Sequence, residues 1–317
     1  MLFRSYDIAV AVWLVTSASL YGIGVWLLLL TVPDLRSQYA GLTLLLAFSF
    51  EPFLMECWLG GQLSAVGFFS YSLAWFALNR QTPIASGLAL GISFYKPTLL
   101  FLTLPLLVVG RRWRMLWGMT VTGCLLAGLS LYFVGWETSL SYLDVLLSFR
   151  KSTTGGRLGI VTWKYVDLNN SLRLLIGGRS PIVTIAFALL SLGPFVWLAR
   201  NWWRWPRLAE NSRQWLWVAT LAWLPVLNLY VGIYDSIFVV QSVLLAAGVL
   251  LREKPSKMPL TNSGFAYWAV AIAGSAWISQ GLAKMCGVQV YTLALIGFGL
   301  FALRRTSLTA TPSIASR

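Results

Sequence analysis

The chain has 317 residues, of which 58% are hydrophobic and only 11% are charged. Soluble domains carry about 25% charged residues, so this composition excludes a soluble protein with a fully water-facing surface. The net charge of +14 reflects basic residues clustered between apolar runs, which indicates membrane topology rather than nucleic-acid binding. The sequence contains no histidine, so it lacks the commonest metal ligand and general base.

Uncharged apolar runs follow one another along the chain, and most approach the roughly 20 residues that a membrane-crossing helix needs. The runs are apolar on every side, whereas strands of a membrane barrel alternate apolar and polar residues. The sequence therefore predicts an all-α polytopic membrane protein with about ten transmembrane or re-entrant helices. The predicted segments are 8–32, 38–55, 60–79, 83–95, 97–110, 115–135, 181–199, 214–232, 235–251 and 265–303, the last being two helices broken near Lys284 to Gly287.

The chain shows no sign of a soluble module, a coiled coil or a short-period repeat, so we expect a single membrane domain. Its one long non-spanning stretch contains an amphipathic piece and is expected to lie along the outer membrane interface. The predicted order is N-terminal helices at 8–135, an extracytoplasmic loop at 136–180, C-terminal helices at 181–305 and a cytoplasmic tail at 306–317.

Orientation follows from the excess of basic residues in cytoplasmic loops. The connections that carry Arg111, Arg204 and Arg252 are strongly basic, so we expect them, together with the C-terminus, on the cytoplasmic side of a prokaryotic plasma membrane. Upstream of Lys96 two topologies remain open. A single crossing by 83–110 puts the N-terminus in the cytoplasm, whereas a re-entrant pair puts the N-terminus and the 51–62 region outside.

Charged residues inside membrane segments cost about 2.5–3.5 kcal/mol each on insertion scales, which makes them functional candidates. Lys96 lies between Tyr95 and Pro97 in an otherwise apolar stretch, where proline disfavours helix. The lysine is either a cation held at a helix break to bind a phosphate or carboxylate, or a kink residue whose side chain reaches the membrane surface.

Glu51 and Glu56 bracket a short segment that is followed by Gly60, Gly61 and Gln62. A carboxylate at such a helix end is a candidate general base, and with Gln62 it is a candidate ligand for sugar hydroxyls. The alternative is an ordinary helix boundary without a chemical role.

Tyr234 and Asp235 lie between two apolar helices, a combination that suits carbohydrate or headgroup binding, although Asp235 is equally suited to capping the next helix. Asn170 and Arg173 end the long loop and are candidates for binding an acceptor, or for simply capping the short helix that follows. No phosphate-binding loop, metal-ligand cluster or serine–histidine–aspartate arrangement is present, so we expect neither a cofactor nor a metal.

Several motifs follow one another in a fixed order along the chain. They are Gly61-Gln62, Asn79-Arg80, Pro83, Ala85 to Gly91, Tyr95-Lys96-Pro97, Arg111 to Arg114, Asn169 to Leu172 and Asn228 to Asp235. This order resembles glycosyltransferase family 87, the polyprenol-phosphate-mannose-dependent mannosyltransferases of the GT-C superfamily. The resemblance covers roughly residues 8–250, and its most specific part is the block from Gln62 through Lys96-Pro97 to Arg111.

This resemblance implies a GT-C-like bundle and a defined reaction. Such enzymes pass a hexose from a polyprenyl-phosphate donor to a lipid or glycan acceptor on the non-cytoplasmic face, so membrane lipids, the donor and the acceptor are the expected partners. A carboxylate deprotonates the acceptor hydroxyl, the anomeric carbon is attacked with inversion, and basic groups stabilise the leaving phosphate. Lys96 or Arg173 is the candidate for that last role.

The sequence departs from the family at its start. Family members begin with a helix and an outer loop that carries the catalytic aspartate, and Asp7 lies too close to Met1 to be that residue. We therefore expect that the helix and loop are missing, and that Glu56 and Asp235 substitute for the aspartate unless the protein is inactive.

Two other functions are compatible with the same residues. A lysine at a broken helix also suits a transporter or flippase for a lipid-linked or anionic substrate. A missing catalytic loop would also fit a non-catalytic membrane scaffold.

Overall fold

The computed structural model describes residues 6–141, 144, 162–178, 180–253 and 263–309. The predicted all-α class is confirmed, because these residues form helices and turns with no strand beyond an isolated bridge between Tyr165 and Gly232. The helices are α1 Tyr6–Thr31, α2 Pro33–Phe48, α3 Ser64–Asn79, α4 Pro83–Gly91, α5 Leu100–Val109, α6 Trp113–Val134, α7 Leu168–Ile176, α8 Pro181–Trp203, α9 Glu210–Leu227, α10 Phe238–Glu253, α11 Ser263–Cys286 and α12 Val290–Thr309.

Shorter helical pieces join these elements. They are a π-helix at Pro52–Leu59 and 3-10 turns at Ile92–Tyr95, Pro97–Leu99, Thr162–Lys164, Trp205–Arg207 and Ile233–Ile237. Within the described ranges, α1, α6, α8 and the stretch Ile233–Glu253 are each long and apolar enough to cross a membrane, and α2 with the π-helix makes a further candidate span bent by 56°.

Most predicted segments match helices, and the break expected near Lys284 to Gly287 is confirmed, since Gly287 adopts a positive φ of 70° between α11 and α12. The predicted segment 38–55 was wrong in its bounds. Proline at position 33 starts α2 earlier, and α2 ends at Phe48, before Pro52 begins the π-helix.

One face of the bundle, which we call the arginine-rich face, is defined by contacts between helix ends. The Arg252 guanidinium donates to the carbonyl oxygen of Thr31 at 3.0 Å and pairs with the Glu210 carboxylate at 3.3 Å. Arg305 lies 3.9 Å from the Glu253 carboxylate. The ends of α1, α10 and α12 and the start of α9 therefore lie on this face.

The segment 83–110 forms a re-entrant pair. Asn79, which ends α3, and Arg112, which precedes α6, line one cavity with Arg213, so α4 leaves the arginine-rich face and α5 returns to it. The tip of the pair is the Lys96-Pro97 break. Of the two topologies that the sequence left open, the contacts therefore select the one in which the N-terminus and residues 51–62 lie on the opposite face.

The π-helix is held on the opposite face by aromatic packing and one long-range hydrogen bond, and a second hydrogen bond joins α1 to α2 beside it. The rings of Tyr21 and Phe53 stack with centroids 3.7 Å apart, and the Tyr21 hydroxyl donates to the carbonyl oxygen of Ala47 at 3.0 Å. The indole of Trp58 donates to the carbonyl oxygen of Leu14 at 2.9 Å. These contacts fix the segment that carries Glu56 against α1 and α2.

The re-entrant pair packs on α6 through glycines. A Cβ on Gly118 would lie 2.3 Å from the carbonyl oxygen of Ile84, and a Cβ on Gly87 would lie 1.9 Å from that of Met115. The Thr122 hydroxyl then donates to the carbonyl oxygen of Leu88 at 2.9 Å. The two backbones approach so closely that only glycine fits at these crossing points.

We expect Gly118→Ala to destabilise the protein by about 1–3 kcal/mol, because the added methyl group overpacks a backbone contact. Gly128→Ala is the matched control in the same helix, since a Cβ there meets nothing within 4 Å and alanine is favoured in helices. The measurement is thermal unfolding in detergent, and the midpoint should fall for Gly118→Ala only. Equal midpoints for both variants would contradict the close approach of α4 and α6.

Candidate functional site

An ion pair lies at the centre of the opposite face. The Lys96 ammonium is 2.5 Å from Oδ2 of Asp235, and the Ser64 hydroxyl donates to Oδ1 at 2.7 Å. Asp235 is 1% exposed and Lys96 is 27% exposed. Because an isolated buried carboxylate is strongly disfavoured, the lysine is retained at the helix break to compensate it rather than free to extend to the surface.

The segment that follows α9 is fastened to the tip of the re-entrant pair. The Asn228 side-chain amide donates to the carbonyl oxygen of Thr98, and the Tyr234 ring lies 4.8 Å from the Lys96 ammonium. The second contact is a cation–π interaction, which helps to hold the lysine beside Tyr234. Both chain breaks, at Lys96 and at Ile233–Ile237, are thus joined by side chains.

Two carboxylates lie beside this ion pair. The side-chain amide of Gln280 in α11 donates to Glu56 at 2.7 Å and to Glu51 at 3.4 Å. Glu51 is buried, whereas Glu56 is half-buried and lies close enough to Tyr234 to interact electrostatically with its hydroxyl. Neither carboxylate has a lysine or arginine partner among the described residues, so Glu56 is a partly exposed carboxyl group at the site without a basic neighbour to pair with.

Asp167 organises the end of the long loop, a role that the sequence did not predict. Its carboxylate accepts the backbone N–H of Asn170 at 2.9 Å, the Asn170 side-chain amide at 2.7 Å and the backbone N–H of Val231 at 3.0 Å. It caps α7 and also ties α7 to the segment beside Asp235. Burial raises the pKa of Asp167 to about 6, although the hydrogen bonds from Asn170 and Val231 oppose this shift.

Arg173 lies at the edge of the site. Its guanidinium donates to the Tyr230 hydroxyl at 3.4 Å and lies 5.5 Å from that ring, which in turn packs edge-on against Tyr165. The Nε atom of Arg173 is buried without a hydrogen-bond partner among the described residues. The side chain therefore retains donor capacity for an anion.

The predicted site residues fall into three groups. Glu56, Lys96, Tyr234 and Asp235 are brought together, and Arg173 borders them through Tyr230. Asn170 is fully buried and its amide is committed to Asp167. For Gln62, the backbone closes the turn after the π-helix by donating to the carbonyl oxygen of Cys57 at 2.8 Å. Substrate roles for Gln62 and Asn170 stay predictions.

Sequence reasoning missed the residues that hold the predicted ones in place. These residues are Ser64, Asp167 and Gln280. Their polar side chains lie in or next to apolar helices, and this was the sequence feature that could have identified them. Among the described residues no group of three or more histidine, cysteine, aspartate or glutamate side chains is arranged to hold a metal ion.

Comparison with protein families matches residues 1–226 of the chain to the model of glycosyltransferase family 87. No curated protein and no solved structure matches the chain. The matched range is more than half of the sequence and contains the π-helix, the re-entrant pair and the segment from Asp167 to Arg173. The family resemblance inferred from the motifs is thereby confirmed.

We expect Lys96→Ala to lower stability by about 3–5 kcal/mol, because it leaves Asp235 buried and charged without its partner. Adding Asp235→Asn to this variant removes the stranded charge and should recover part of the loss. The measurement is the thermal unfolding midpoint in detergent. A double variant less stable than Lys96→Ala would contradict the assignment of Asp235 as the lysine's counter-ion.

Asp167 should make stability depend on pH. Its pKa is about 6 in the folded protein against a usual 3.8, so the folded state binds more protons between these values, and its stability increases as the pH falls through 6. Between pH 7 and pH 5 we expect a gain of about 1 kcal/mol that Asp167→Asn lacks, read from unfolding midpoints. If the stability of the wild type and of Asp167→Asn depended on pH in the same way, the raised pKa of Asp167 would be refuted.

Proposed function

Because the chain belongs to glycosyltransferase family 87, we propose that it transfers a hexose, mannose being the first candidate, from a polyprenyl-phosphate donor to a lipid or glycan acceptor. The reaction would take place on the face that carries Glu56, Lys96 and Asp235. We assign this face to the extracytoplasmic side of a prokaryotic plasma membrane and the arginine-rich face, with the C-terminus, to the cytoplasm.

The observation that carries this proposal is the position of Glu56. It is a half-buried carboxylate without a basic partner among the described residues, and Gln280 fixes one of its oxygens at 2.7 Å. In the proposed reaction Glu56 takes the proton of the acceptor hydroxyl while that oxygen bonds to the anomeric carbon. The bond between that carbon and the phosphate oxygen breaks, and the configuration is inverted.

The leaving polyprenyl phosphate carries the electron pair of the broken bond and needs positive charge nearby. Arg173 suits this role, because its guanidinium has a buried donor without a partner in the described part of the chain. Lys96 is already close to the Asp235 carboxylate, so its charge is partly compensated. We therefore assign Arg173 to the phosphate and Asp235 to positioning Lys96, rather than to the base role that the sequence suggested.

A groove on the side of the bundle supports a lipid-linked donor. It has a volume of about 250 Å³, lies between α2, α10 and α11, and is lined almost entirely by apolar side chains. At one end it reaches Ser49 and Phe50, next to Glu51. An isoprenoid chain in this groove would have its phosphate end near the carboxylates.

The proposal is tested with purified protein in liposomes that contain native membrane lipids as acceptor and polyprenyl-phosphate-mannose labelled in the sugar. We expect label to move to a new lipid or glycan product, and Glu56→Gln to slow this transfer by about 10²–10⁴-fold, as for loss of a general base. Glu137→Gln is the matched control, because Glu137 is exposed and lies beyond α6 on the same face.

Three results would contradict the proposal. The first is an unchanged rate in Glu56→Gln, which would exclude it as the base. The second is a wild-type protein that neither binds nor consumes the donor. The third is movement of the intact donor across the bilayer without chemical turnover, which would identify a flippase.

A further inference from the structure

A polar cavity lies on the arginine-rich face, across the bundle from the candidate active site. It has a volume of about 440 Å³ and is bordered by the end of α3, the turn after it, the start of α6 and the start of α9. Helix α3 alone has 16 residues, which corresponds to about 24 Å between its two ends. The cavity is therefore separate from the site at Ser64 and Asp235.

Two guanidinium groups face this cavity without a carboxylate partner. Arg213 donates to the backbone carbonyl oxygens of Trp205 and Pro206, each at 3.1 Å, and Arg112 lies 5.2 Å from the Trp205 ring. Neither arginine forms a salt bridge within the described residues. Burial, followed by the positive charge of Arg213, lowers the pKa of Arg112, which indicates that the two cations repel one another.

The one carboxylate in the described lining does not compensate these charges. Glu210 is bound by the Arg252 guanidinium at 3.3 Å, and its side chain is mostly exposed. The same guanidinium donates to the buried side chain of Gln214 at 3.0 Å. The negative charge at the rim is thus already paired, and the cavity retains an excess of positive charge.

The backbone around the cavity also favours an anion. Helices α6 and α9 both begin at its border without a side-chain cap, so their N-terminal ends add positive partial charge. Gln81 and Arg111 adopt positive φ angles of 59° and 52° in the two turns at the rim. Non-glycine residues in this conformation carry a cost that folded proteins commonly accept at binding sites.

We propose that the cavity between Arg112 and Arg213 binds a phosphate group. Two guanidinium groups match phosphate in charge and in hydrogen-bond geometry, and Asn79 and Gln81 add amide donors at the rim. The phosphate comes from an anionic lipid headgroup or from a free phosphate in solution. Trp203, which is exposed and lies 4.0 Å from the Arg111 guanidinium next to the cavity, suits a position at the membrane interface.

The test is a thermal-shift titration of the purified protein in a neutral detergent. Inorganic phosphate, phosphatidylglycerol and phosphatidylcholine are added separately, since any ligand that binds only the folded state raises the unfolding midpoint. We expect phosphate or phosphatidylglycerol to stabilise the protein and phosphatidylcholine not to. Stabilisation by phosphate identifies a soluble ligand, and stabilisation by phosphatidylglycerol alone identifies a headgroup.

Arg112→Gln and Arg213→Gln should each lower the affinity for the stabilising ligand about tenfold or more, as expected for loss of a charged hydrogen bond. Arg114→Gln is the matched control, because Arg114 is exposed on the same turn outside the cavity and should change affinity by no more than about twofold. Without ligand, Arg112→Gln should be as stable as the wild type or more stable, because a like-charge repulsion is removed. An arginine with a purely structural role would not give weaker ligand binding together with unchanged or increased ligand-free stability.

The proposal is overturned if neither phosphate nor phosphatidylglycerol stabilises the wild-type protein, or if phosphatidylcholine does so equally. It is also overturned if Arg114→Gln weakens binding as much as the two cavity variants, because the effect would then reflect net charge. Loss of ligand-free stability in both cavity variants with unchanged affinity would assign the arginines to folding.

Discussion

The ion pair between Lys96 and Asp235 joins two interruptions in the helical bundle, one in the re-entrant pair and one between α9 and α10. Each charge alone would be costly at this depth, and together they form a neutral unit that also holds Ser64. Because Tyr234 packs on the lysine and Asn228 reaches the carbonyl of Thr98, the position of the whole opposite face depends on this pair.

A membrane interior has no water to bind the backbone groups that a broken helix releases. The re-entrant pair meets this constraint with side chains from its neighbours. The Tyr71 hydroxyl donates to the carbonyl oxygen of Leu99 at 2.8 Å, and the Asn228 side-chain amide donates to that of Thr98. The irregular backbone is tolerated because hydroxyl and amide groups of neighbouring side chains donate hydrogen bonds to it. The same polar groups make this part of the bundle suited to chemistry.

Helix positions were largely predictable, because apolar runs of sufficient length have few other structures available to them in a bilayer. The path of residues 83–110 was not predictable, since a run of that length fits both a kinked crossing and a hairpin. The cavity that Arg112 shares with the end of α3 decides between them. Glu56, Lys96 and Asp235 were found as charges in apolar surroundings. Their partners Gln280 and Ser64 were not found, because uncharged polar residues are common in membrane helices. Each of these two residues is also distant in sequence from the carboxylate that it contacts.

The groove between α2, α10 and α11 is open to the side, since Leu42, Leu46 and Trp277 are among its lining residues and are well exposed. A molecule that enters there arrives from within the bilayer and never has to leave it. Its supply is then set by its mole fraction among the surrounding lipids and by two-dimensional diffusion. Saturation of this protein would accordingly depend on how much other lipid dilutes the substrate, and the volume of the aqueous phase would have no influence.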